Sequence, residues 1–213
     1  MPAAAARQEV EMNWRHYEDP KLSAILQSAL AEFVAHGYHG TTVRAVASRA
    51  GVTVPALYYH FENKQALLVQ LLGQSMRDVL LRCEAAFKGA GAEPEDQLSA
   101  VIECIVLYMV HRRDMAFLDT EIRSLEPVHR AAYVALRDQL EGLLRNTIRA
   151  GVRKGTFTTR YTQDASRAIL TMCQGVATWY RVGGALSPQE VGIRYVQFSL
   201  NVVGFVPPKH PHD

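Results

Sequence analysis

Residues 51–61 read GVTVPALYYHF, with two tyrosines and a histidine in direct succession. A helix turns each neighbour by about 100°, so Tyr58, Tyr59 and His60 cannot all face one core. Hydroxyl-bearing rings and an imidazole turned outward can donate and accept hydrogen bonds. That chemistry suits recognition of a polar partner better than bond making.

Catalytic arrangements are scarce elsewhere. The chain has no H-E-x-x-H, no P-loop and no G-x-S-x-G. GAGAEP at 89–94 has G-x-G but neither a third glycine nor a preceding strand, so a dinucleotide site is rejected. HRRD at 111–114 lacks the companion motifs of a kinase loop. Cys83, Cys104 and Cys173 are far apart, fit neither a zinc site nor a disulfide framework, and suit a reduced cytoplasm. A cofactor-free helical enzyme remains as a rival reading.

The elements around the tyrosines are helical. In DPKLSAILQSALAEFVAHG, Leu22, Ile25, Leu26, Ala29, Leu30, Phe33 and Val34 recur on one helix face. Asp19 is expected to cap this helix, Pro20 to lie in its first turn and Gly37 to end it. Thr42 then caps VRAVASRA, Gly51 breaks it, and Thr53 caps a second short helix with Val54, Leu57 and Phe61 inward. Asn63 caps a long amphipathic helix to about residue 88. Further helices are expected over 94–111, 113–125, 127–153, 164–182 and 188–205, about nine in all. The fold class is all-α. The expected plan is a tail at 1–18, a helix-turn-helix at 19–66, a ligand-binding and dimerisation bundle at 67–206, and a tail at 207–213.

Two short helices joined by a glycine turn form a helix-turn-helix, whose second helix enters the DNA major groove. With Leu57 inward, Pro55, Ala56 and Tyr59 face out, and Tyr58 and His60 flank them. The first turns of the two short helices suit phosphate, which adds Thr41, Thr42, Arg44 and Thr53, and Lys64 supplies a point charge. Bulk charge does not carry this reading. Net charge is +2, and residues 1–73 hold six Lys/Arg against six Asp/Glu. A non-specific architectural DNA binder would be more basic; it is the other rival reading.

The run TTVRAVASRAGVTVPALYYHFENKQALL resembles the N-terminal DNA-binding domain of the TetR family of transcriptional regulators. The matching parts are the paired threonines, the A-x-x-A-G-V turn, the L-Y-x-H-F block and N-K-x-x-L. The resemblance implies a dimeric, non-enzymatic repressor of double-stranded operator DNA, released by a small hydrophobic molecule and needing no cofactor. It also implies that Tyr58, His60 and Lys64 hold phosphates. Pro55 departs from the family pattern, where a small or polar residue is common.

The rest of the chain suggests where a ligand and a second subunit would sit. Met76, Tyr108, Met109, Met115, Phe117 and Ile122 are adaptable apolar residues in the middle helices, as are Met172 and Trp179. His111, Gln174 and Thr178 would orient a ligand among them. At 188–205, Val191, Tyr195, Phe198, Val202 and Phe205 form a stripe beside a second one, so this helix needs two partners. Gly175 permits close helix approach. A homodimeric four-helix bundle is the expectation. TWYRVGGALSPQEV at 178–191 is similar to a segment of TetR-type regulators that answer to acyl-CoA thioesters. No apolar run is long enough for a membrane span, so a cytoplasmic protein is expected.

Overall fold

The computed structural model describes residues 12–207. Three short helices form the N-terminal head: α1 (Ala24–Gly40), α2 (Val43–Arg49) and α3 (Val54–His60). The body is built from α4 (Lys64–Gly89), α5 (Pro94–His111), α6 (Arg113–Phe117), a 3-10 segment (Leu118–Ser124), α7 (Pro127–Lys154), α8 (Thr162–Gln174), α9 (Val176–Trp179) and α10 (Pro188–Val203). No helix among the described residues is long and apolar enough to cross a membrane.

The order of packing follows from which helices are apolar on more than one side. In α5, Cys104 through Val110 are all buried, so it runs through the centre and packs against α4, α7, α8 and α10. α4 buries a single stripe including Leu68, Leu72, Met76, Val79 and Cys83, and runs from the head into the body. It is the mechanical link between them.

Local capping explains the starts of α2, α3, α4 and α10. The hydroxyls of Thr42 and Thr53 accept the Ala45 and Ala56 N–H groups at 3.1 and 3.3 Å, and the Asn63 side chain accepts Ala66 N–H at 2.8 Å. Ser187 and Glu190 cap α10 reciprocally. Gly51 has φ of 68°, the left-handed region that lets the chain turn sharply after α2, and Gly37, with φ of 69°, kinks α1 near its C-terminal end.

Three expectations need correction. Ser23, not Asp19, caps α1 by accepting the Leu26 N–H at 3.4 Å, so residues 19–22 precede the helix, with Leu22 N–H donating back to the Pro20 carbonyl. The expected helix at 113–125 is helical only to Phe117; Thr120 then donates to the Phe117 carbonyl and the chain tightens into a seven-residue 3-10 run. Such runs rarely exceed three or four residues and often mark hinges. The expected helix at 164–182 breaks at Gly175 and ends at Trp179, after which Tyr180 is extended.

The N-terminal segment also differs from the expected tail. Residues 1–11, with Arg7, lie outside the described residues, as do 208–213. Residues 12–18 form a strap across α4 and α5. Trp14 is buried, Arg15 pairs with Glu103 at 2.7 Å, and Arg82 donates to the Trp14 and His16 carbonyls. Tyr17 stacks on His111 with ring centroids 4.5 Å apart.

Candidate functional site

The head presents one polar, aromatic face. Leu57 is fully buried and Phe61 nearly so, which fixes the rotation of α3. Pro55, Ala56, Tyr58, Tyr59 and His60 are consequently exposed, Tyr59 most of all at 85%. The rings of Tyr59 and His60 meet edge to face, 5.1 Å apart. Thr42, Arg44 and Thr53 are exposed beside them. The two threonine hydroxyls cap helices through their oxygen and keep a proton to donate.

Two members of the expected set sit otherwise. Thr41 is buried at 2% exposure, and its hydroxyl donates to the Glu32 and Gly37 carbonyls at the end of α1. Its side chain cannot reach a ligand outside. Lys64 is not a free point charge. Its ammonium donates to the Tyr38 and Thr41 carbonyls at 2.6 and 2.7 Å and lies 4.3 Å from the Tyr38 ring centroid. Burial lowers its pKa, partly opposed by Glu121. A cation on carbonyls at a helix end is favourable, because they carry the negative end of the dipole. Lys64 thereby pins α1 to the start of α4 and keeps one proton for another partner.

A cavity of about 290 Å³ lies between α4, α5, the 3-10 segment, α7 and the α8–α9 junction. It sits at the small end of drug-sized pockets, roughly 300–1,000 Å³. Met76, Tyr108, Met109, Phe117, Gln174 and Thr178 line it as expected from their types. Tyr108 exchanges hydrogen bonds with Ser75, its hydroxyl 3.0 Å from both the Ser75 Oγ and the Ser75 carbonyl. The Tyr133 hydroxyl donates to Asp119 Oδ1 at 2.8 Å. Burial pushes both phenols above their ordinary range, so they stay neutral donors. The side-chain amide of Gln174 has no hydrogen bond among the described residues and is the group best placed to meet a ligand.

Five expected pocket residues lie elsewhere. His111 stacks on Tyr17 outside the cavity, because it ends α5 at the strap. Met115 faces a different, polar cavity. Ile122 packs on the core from the 3-10 segment, and Met172 is half-buried off the cavity wall. Trp179 is exposed and donates its indole N–H to the Tyr195 hydroxyl at 3.3 Å. Sequence reasoning missed Ser75, Val79, Asp119, Thr120 and Tyr133. The first two could have been found, since they share a helix face with Met76; the others depend on the 3-10 turn.

The outer face of α10 carries an apolar row beside the exposed Arg194, Gln197 and Asn201. Phe198 and Val202 are 48% and 43% exposed, and Trp179, Tyr195 and Phe198 form a row of rings about 6 Å apart. Val191 does not belong to it: at 1% exposure it points into the core with Gly192, Ser199 and Val203. Phe205 turns back onto Phe157. Gly175 lines the cavity instead of an outer surface.

Comparison with known proteins agrees with this layout. Residues 25–71 match the family model described as bacterial regulatory proteins, tetR family. Residues 91–203 match the one described as Tetracyclin repressor-like, C-terminal domain. The chain belongs to the TetR family. It is 26% identical over 179 residues to the HTH-type transcriptional repressor KstR2 of Mycobacterium tuberculosis, covering 83% of this chain and 89% of that one. Its backbone is similar to a solved tetR-family regulatory protein from Rhodococcus RHA1, at 28% identity and TM-score 0.82, covering 86% and 97% of the two chains. It also shares the fold of AibR, solved in complex with isovaleryl coenzyme A and operator DNA, at 22% identity and TM-score 0.73, covering 82% and 95%. As a TetR-family member the chain is a DNA-binding transcriptional regulator without enzymatic activity, which sets aside the enzyme reading.

Proposed function

We propose that this TetR-family chain is a cytoplasmic, homodimeric repressor that a small hydrophobic molecule releases from a pseudo-palindromic operator. Two α3 helices enter successive major grooves, ~34–36 Å apart for one helical turn. Pro55, Ala56 and Tyr59 meet base edges, while Thr42, Arg44, Thr53, Tyr58 and His60 hold the flanking backbone. The exposed row of Trp179, Tyr195, Phe198 and Val202 pairs with its own symmetry copy, since a two-fold interface repeats one patch on both subunits.

The observation that carries the release mechanism is a shared element. The 3-10 segment supplies Asp119 and Thr120 to the cavity wall, and its last residue, Ser124, accepts a hydrogen bond from Gln65 in the first turn of α4. Beside Gln65, Lys64 holds the end of α1. A ligand that displaces the cavity wall therefore acts on the hinge of the reading head. The size of the cavity suits a short acyl chain, with the remainder of a coenzyme A thioester outside it. The segment at 178–191 and the isovaleryl coenzyme A bound by AibR support that class.

The test is fluorescence anisotropy of the full chain on DNA from upstream of its own coding region, with a scrambled control. Operator should be preferred by roughly 10³-fold or more. Saturating isovaleryl-CoA should weaken binding about a hundredfold, ~2.7 kcal/mol of coupling. Tyr59→Ala should erode the preference for operator over random DNA. Equal losses on both DNAs would remove Tyr59 from base reading, and unchanged affinity with the thioester would remove that ligand class.

A further inference from the structure

A second cavity, of about 340 Å³, opens where the strap, α4 and the α5–α6 junction meet. It is chemically unlike the first. Its floor is formed by Arg82, Asp78 and Arg112, and one side by Pro20, Leu22 and Met115. Two guanidinium groups and one carboxylate leave that floor with a net positive charge. Glu18, Asp19 and Lys21 stand at the mouth, exposed, where solvent screens them.

The two arginines differ in how well they are satisfied. Arg82 donates from Nε to Asp78 at 2.9 Å and from Nη1 to the carbonyls of Trp14 and His16 at 3.2 and 2.9 Å. The Arg112 side chain is only 9% exposed. Its Nη2 donates to the Glu18 carbonyl and its buried Nε faces Asp78 Oδ2 as an ion pair at 3.8 Å, beyond hydrogen-bond reach; among the described residues neither Nε nor Nη1 has a hydrogen-bond partner. A buried, charged donor left unpaired is costly, and an oxyanion is the group that satisfies it best.

We propose that this cavity is a second effector site, for a small organic acid. The carboxylate takes the Nη1 end of Arg112, and a short apolar body lies against Pro20, Leu22 and Met115. Phosphate alone would leave that apolar wall unused. The walls also give the site a lever. His16 to Leu22 run directly into Ser23, the cap of α1, whereas Gln74, Asp78 and Arg82 belong to α4. An acid bridging them sets how the strap and α1 rest on α4. It acts on the head through the strap and the lead-in to α1 instead of through the 3-10 segment.

Isothermal titration of the full chain with hexanoate, hexanamide and inorganic phosphate tests the assignment. Hexanoate should bind saturably, with hexanamide and phosphate each about tenfold weaker or worse, reflecting the charge-assisted bond and the apolar wall respectively. Arg112→Gln should weaken hexanoate about tenfold, and Asp78→Asn, which removes the competing carboxylate charge, should tighten it about threefold. The opposite sign of the second variant keeps the test valid if the first fails to fold. Hexanoate should also shift operator affinity at least about threefold in anisotropy, an effect lost in Arg112→Gln. Absence of saturable binding, equal binding of hexanamide or phosphate, or indifference to both substitutions would overturn the site. Binding without any shift on operator would overturn the effector role.

Discussion

The side-chain amide of Gln65 donates to the Ser124 carbonyl at 3.0 Å, tying the first turn of α4 to the end of the 3-10 segment that walls the apolar cavity. Gln65 also donates to the Tyr38 hydroxyl at 3.3 Å, so one buried amide joins the head to the end of the 3-10 segment. Gln65→Leu keeps the volume and removes those bonds. Operator affinity should stay within about threefold, while ligand-induced release should fall from about a hundredfold to about tenfold, a loss of ~1.4 kcal/mol of coupling. Anisotropy with and without the thioester measures both. Full release in the variant would show that coupling runs through the body of α4 alone.

Lys64 offers a test of what holds the head in place. A lysine that served only to contact phosphate could be removed without changing the stability of the free protein. This one bonds two carbonyls at the end of α1, and bonds to charged groups contribute about 1.5–3 kcal/mol each. Lys64→Ala should therefore lower the urea midpoint measurably and weaken operator binding together. An unchanged midpoint would mean that those bonds contribute nothing to the fold.

The head was legible because its rules are local. Periodicity placed Leu57 and Phe61 inward, and Thr42, Thr53 and Asn63 were readable as caps from their types and positions. The errors come from contacts between distant segments. Thr41 and Lys64 look available in sequence, and only the fold brings the carbonyls of α1 to them. Val191 continues an apolar stripe on paper, yet α10 is rotated so that Val191 and Val203 face α5 and the body while Phe198 faces out. The strap was invisible because nothing in residues 12–18 announces that Arg82, Arg112 and His111 wait for them. Asp119, Thr120 and Tyr133 in the cavity wall were missed for a similar reason, since they meet only after the chain tightens into a 3-10 run.

Phe198 tests the proposed dimer. Its ring is half exposed, so replacing it with aspartate need not disturb the core, and a circular dichroism spectrum would confirm intact helices. In a paired interface the same change buries two charges against apolar rings. Phe198→Asp should weaken dimerisation by about 30-fold or more, ~2 kcal/mol for a central aromatic contact. Light scattering at micromolar concentration should then report monomer, and operator affinity should fall with it. A variant that remains dimeric would move the interface away from this row.

His111 makes the seating of the strap sensitive to pH. Its imidazole stacks on Tyr17 with planes 17° apart, and Arg112 and Arg82 lie close by. Burial first, then the two guanidinium charges, lowers its pKa below the ordinary value of 6.5. The unfolded chain therefore takes up this proton before the folded one does. Above about pH 6.5 both states carry a neutral ring and stability is unaffected; as pH falls below that value the unfolded state gains, and stability declines until the folded ring is protonated too. His111→Gln removes this component. The urea midpoint of the parent should drop more between pH 7.5 and pH 5 than that of the variant. Identical drops would mean that the ring titrates alike in both states, and that the strap does not hold it in the neutral form.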